Sequence, residues 1–152
     1  MQSSGSATGD GVALQNIVGE LISESHRDVE DVGDIHYQIH VTKQESRSGH
    51  RLMVGSTGPV YTWDEFIAAF LEDERYQAIA KELDATLGHT HIIGLIDVPD
   101  ANTYVTEDRR AFSKSLLDDT KLCNALFNHL KTFLAPRVQE SIKALVQLFA
   151  RN

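Results

Sequence analysis

Residues 35–41, IHYQIHV, alternate apolar and polar without a break. Ile35, Tyr37, Ile39 and Val41 fall on one side, and His36, Gln38 and His40 on the other. A period of two specifies a strand with one covered face, because successive side chains point to opposite sides of a sheet. A chain with such a strand needs further strands to pair with it and a layer to cover it. Ile92, Ile93, Leu95 and Ile96 are apolar on both faces, between Gly88 and Pro99, and read as a central strand. HRLMVGS, residues 50–56, can pair back on the first strand as a hairpin, with Leu52 and Val54 beside the Tyr37 row. VYT at 60–62 reads as a third, short strand, and Thr103 to Thr106 as an edge strand.

The covering layer is read from helical spacing. Leu14, Ile17, Val18, Leu21 and Ile22 form one stripe, which predicts a helix from Val12 to about Ser25. The stretch HRDVEDVGD after it reads as a solvated acidic linker. Thr62 and Glu65 are spaced as a capping box, each side chain satisfying the other residue's free N–H. Phe66, Ile67, Phe70, Leu71, Ile79, Leu83 and Leu87 continue a long central helix, with a kink or restart near Asp73. Asp118 and Asp119 can cap a C-terminal helix carrying Leu122, Leu126, Phe127, Leu130, Phe133 and Leu134. Pro136 interrupts or restarts it. The predicted fold is α+β: a small, mostly antiparallel sheet of roughly three to five strands, covered by an N-terminal helix, a long central helix and a helical C-terminus. Residues 1–10, rich in Gly and Ser, read as a disordered lead-in, and 11–152 as one domain.

Net charge and cysteine usage narrow the function classes. The formal charge is −8, and no basic footprint for phosphates is visible, so nucleic acid is not an expected partner. An anionic membrane surface is disfavoured for the same reason, and the longest apolar run, IIGLI, is far too short for a span. Cys123 is the single cysteine. It rules out an internal disulfide and a multi-cysteine zinc site, and suits a reducing, cytoplasmic location.

Four histidines and two aspartates are the candidate chemistry. His36 and His40 share a face about 13 Å apart at roughly 3.3 Å per residue, too far to chelate one metal directly. His89 and His91 lie about 6.6 Å apart by the same rise. Asp97 and Asp100 follow the central strand, and a buried Asp97 could act as a general base. The spacing favours half-exposed histidines on a polar face, so neither a metal nor a cofactor is expected. GSTGP, residues 55–59, lacks the lysine of a phosphate-binding loop and reads as a hairpin turn. Cys123 reads as core, with no His partner indicated at His129.

The expected function is therefore an acidic, non-catalytic binding module or adaptor, acting on a protein partner or as a homodimer. Val138, Ile142, Leu145 and Phe149 are its expected contact residues, since the terminal third carries more apolar side chains than one layer needs. The alternative is a small-molecule enzyme whose His36, His40, His89 and His91 share the sheet face with Asp97 or Asp100.

Overall fold

The computed structural model describes residues 17–42, 52–88 and 91–150. Its sheet has five strands in the order β1-β2-β5-β3-β4. They are β1 (Ile17–Val29), β2 (Gly33–Thr42), β3 (Leu52–Gly55), β4 (Pro59–Thr62) and β5 (Ile92–Asp97). β3 runs parallel to β5, and the other pairings are antiparallel. Helices α1 (Trp63–Leu71), α2 (Gln77–Leu87), α3 (Ser115–Asp118), α4 (Thr120–His129) and α5 (Ala135–Ala150) supply the second layer. The fold is α+β, as the two periodicities of the sequence require.

The alternation in β2 resolves as read. Ile35, Tyr37, Ile39 and Val41 are buried, while His36 and His40 are half-buried and Gln38 is exposed. Ile92 and Ile96 join them from β5. These side chains form one continuous apolar cluster with Phe66, Ile67 and Phe70 of α1, Leu83 and Leu87 of α2, and Leu126 and Phe127 of α4. Phe70 packs edge-on against Tyr76 and Phe127, with ring centroids 5.3 and 4.7 Å away.

Residues 17–25 are not helical; they belong to β1. From Leu21 to Arg27 exposure alternates residue by residue, with Leu21 42% exposed and Ile22 4%. Two residues assigned to one helical stripe thus face opposite sides of the sheet. Adjacent β-branched and aliphatic residues satisfy either period, and pairing with β2 decides between them. A register shift between Val18 and Ile22 further blurs the pattern. The part of the expected helix before Ile17, and the lead-in, lie outside the described residues.

The acidic stretch after Ser25 is the end of β1 and the tip of the β1–β2 hairpin. Asp28 and Asp31 adopt positive φ, which Asp tolerates better than most residues. Val32 N–H donates to the Val29 carbonyl at 3.0 Å, and Asp28 N–H to the Asp34 carboxylate at 3.1 Å. The expected hairpin between residues 35–43 and 50–56 does not form: β5 lies between β2 and β3. Thr103 and Tyr104 end a 3₁₀ turn (Pro99–Tyr104), and Val105 makes a lone bridge to Phe112.

The central helix is split. Asp73 accepts from Arg75 N–H at 2.9 Å, and its carbonyl takes Tyr76 N–H at 3.0 Å, so the chain restarts as α2. Asp119 caps α4 through Leu122 N–H at 3.2 Å. Between α4 and α5, residues Leu130–Leu134 form a π-helical turn, in which Ala135 N–H reaches back to the Leu130 carbonyl. Pro136 has no N–H to offer and crowds the carbonyl of Thr132 in a regular helix; the wider turn accommodates it.

Val138 and Leu145 are 0% and 3% exposed, and Ile142 packs on the same cluster. Val138 and Leu145, two of the expected contact residues, thus lie in the chain's own core. The side chain of Phe149 lies outside the described residues.

The capping box at α1 is complete: Thr62 Oγ1 accepts from Glu65 N–H, and Glu65 Oε1 accepts from Thr62 N–H, both at 3.3 Å. Thr62→Ala should lower stability by about 1 kcal/mol in chemical denaturation. A loss indistinguishable from zero would mean that α1 does not depend on this cap.

Candidate functional site

The helical layer buries one face of the sheet, and the site residues lie on the other. β1, β2 and β5 run side by side, so Ser25, His36 and Asp97 stand in one row across three strands. Ser25 Oγ and His36 Nδ1 are hydrogen-bonded at 2.8 Å. Asp97 lies directly across from His36, but its Oδ1 accepts from Thr57 N–H at 2.8 Å. Ser23, Ser25, His36, Gln38, Leu95 and Asp97 line a shallow cavity of about 270 Å³, open to solvent on one side.

The other sequence candidates do not converge there. His40 is four residues farther along β2, opposite Ile93. Its Nδ1 is buried without a hydrogen-bond partner among the described residues, and burial lowers its pKa. His91 Nδ1–H donates to the Thr42 carbonyl at 2.9 Å, a structural link between the ends of β2 and β5. His89 lies outside the described residues. Asp100 sits on the 3₁₀ turn and lines a separate cavity of about 360 Å³ with Asp31, Gly33, Tyr104 and Asp119. Its carboxylate occupies the place where a side chain on Gly33 would go, 1.7 Å from an ideal Cβ. Among the described residues no group of three or more His, Cys, Asp or Glu has the arrangement of a metal site.

Two N–H groups of the GSTGP turn are already engaged. Ser56 N–H donates to the Gly58 carbonyl at 2.9 Å and Thr57 N–H to the Asp97 carboxylate, so neither is directed at a phosphate. Arg109 ties this turn down by donating to the Ser56 carbonyl at 2.7 Å.

A second polar cluster escaped the sequence reading. His26 and Glu24 of β1 and Tyr37 of β2 meet His129, the last residue of α4, on the helix-covered side. Tyr37 Oη and His129 Nδ1 are hydrogen-bonded. The His26 and His129 rings meet edge-on at 4.5 Å between centroids, and Phe133 packs on both at 5.3 and 4.6 Å. Glu24 Oε1 lies 3.1 Å from His26 Nε2, and its other oxygen pairs with Arg137 of α5. His129 is 5% exposed; burial, then the neighbouring His26, lowers its pKa. Burial raises that of Tyr37, which keeps the phenol a donor. Only the alternation of Glu24 and His26 along β1 could have signalled this cluster, and it was hidden by the helical reading.

Comparison with models of known protein families finds none that matches this chain. A search of curated proteins likewise finds no match.

Cys123 is core, as its apolar neighbours indicate. Its Sγ–H donates to the Leu116 carbonyl at 3.1 Å, and burial pushes its pKa up to about 11. A two-unit rise leaves about a hundredfold less thiolate at neutral pH than a free thiol has. Native protein at pH 7.4 should therefore react with a thiol reagent at least ~100-fold more slowly than denatured protein. Comparable rates would place Cys123 in an open, activated environment instead.

Proposed function

We propose that the chain is a non-catalytic binding module whose docking surface is the open face of the sheet. The observation that carries the reading is the one-sided covering: the continuous apolar cluster draws on one face and on the helices. Ile93, Leu95 and Met53 of the opposite face stand outside it, half-buried. They lie among Ser23, Ser25 and Gln38, which are exposed. Such a mixed surface of half-buried aliphatic and hydrogen-bonding side chains suits a protein partner. The charge of −8 favours a partner with basic residues at the rim, and works against a second copy. The single cysteine is compatible with a reducing compartment such as the cytoplasm, which this reading takes as the location. No described helix is long and apolar enough to cross a membrane.

A second reading, a small-molecule enzyme, draws on one observation: Ser25, His36 and Asp97 share a cavity, with the serine hydrogen-bonded to the histidine. A nucleophile beside a base is the start of acyl-transfer chemistry. The cavity is shallow, however, and the carboxylate is engaged by Thr57 rather than by the histidine.

The double variant Gln38→Arg/Leu95→Arg separates these readings from a face without function. Cross-linking from the open face should recover a partner with the wild type and lose it with the variant, while both melt alike. Identical cross-links from the two proteins, with a wild type that sediments as a monomer, would contradict the binding module. Labelling of Ser25 by an alkyl fluorophosphonate, abolished by His36→Ala, would move the enzyme reading ahead of it.

A further inference from the structure

His129 joins the sheet to the C-terminal helices through groups that cannot all be charged together. In the neutral tautomer that carries its proton on Nε2, Nδ1 accepts from Tyr37 O–H. Protonation turns both ring nitrogens into donors, so the Tyr37 bond must be broken or reversed inside a buried cluster. The titratable and charged groups facing His129 among the described contacts are Glu24 and His26 from β1, Tyr37 from β2, and Arg137 from α5. Glu24 is the carboxylate of this set, and it already serves both His26 and Arg137. A proton on His129 adds an uncompensated cation beside the His26 ring, whose centroid is 4.5 Å away.

The place of this cluster gives the charge a mechanical consequence. Arg137 is in the first turn of α5, and its ion pair with Glu24 is a direct tie between that helix and β1. The π-helical turn starts at Leu130, directly after His129, so the joint lies where the helical ladder is already irregular. Phe133, 49% exposed, covers both histidine rings from the solvent side.

We propose that His129, with Tyr37 and His26, is a pH-sensitive latch that holds the C-terminal helix against β1 and releases it on acidification. The direction follows from linkage. A histidine held neutral in the folded state contributes its full stability above the unfolded value of 6.5. That stability declines as pH falls below 6.5 toward the folded pKa, because the unlatched state binds the proton more readily. Protonation of buried histidines is a known means of flipping packed joints in this pH range.

Amide hydrogen exchange between pH 7.5 and 5, corrected for intrinsic rates, tests the latch, with a ring titration of His129 by NMR. Protection in 22–29 and 135–147 should fall by up to roughly tenfold per pH unit below 6.5, until the folded pKa is reached, while α1 stays protected. His129 should titrate below 6.5. His129→Gln should flatten the pH dependence. If that variant does not fold, His26→Gln, at a half-exposed position, should reduce it by removing the neighbouring imidazole ring. A His129 that titrates at or above 6.5, or the same pH dependence in wild type and variants, would overturn the proposal.

Discussion

The insertion of β5 between β2 and β3 is the constraint on which the rest of the molecule depends. It joins the β1–β2 hairpin to the β3–β4 hairpin, and it is the strand from which both cavity-lining and core residues project. Gly94 makes the insertion possible. It sits at φ +132, opposite Ile39 on one side and Leu52 on the other. A Cβ there would lie 2.0 Å from the Gln38 carbonyl. Only glycine takes both the conformation and the approach without displacing the β2 backbone. Ile92 and Ile96 then enter the core on one face, and Leu95 and Asp97 reach the open face on the other.

From that placement the division of labour across the sheet follows. The inner face is covered by helices whose apolar residues, including the terminal Val138 and Leu145, are used internally. A polar joint interrupts it, Tyr37–His129 with its ring of Glu24, His26 and Arg137, where the sheet edge meets the C-terminal helix. Buried polar groups of this kind persist only when mutually satisfied, so the joint is sensitive to any added proton. The outer face carries the Ser25–His36 pair in a shallow cavity. We ascribe recognition to the outer face and pH sensitivity to the inner one.

What was legible in the sequence is what depends on near neighbours. The β2 alternation, the two-faced Ile92–Ile96 run, the Thr62 capping box and the restart at Asp73 are all set within a few residues. Strand order was not legible, because it depends on which strand Gly94 lets approach β2. The N-terminal strand was misread because Leu21 and Ile22 fit either period when taken alone. Of the site candidates, His36 and Asp97 stand across from each other only through pairing of β2 with β5, which no local pattern reports, and Asp100 lies apart, against Gly33 at the hairpin tip. The His129 joint links residues 92 apart, a distance that no local pattern reports.

The central claim, that β5 separates β2 from β3, is open to direct measurement by NMR. Cross-strand contacts from Gly94 should reach both Ile39 and Leu52, and those from Ile96 should reach both Tyr37 and Val54. Contacts that join β2 directly to β3, with Gly94 bonded to neither, would contradict the sheet order and with it the placement of His36 beside Asp97.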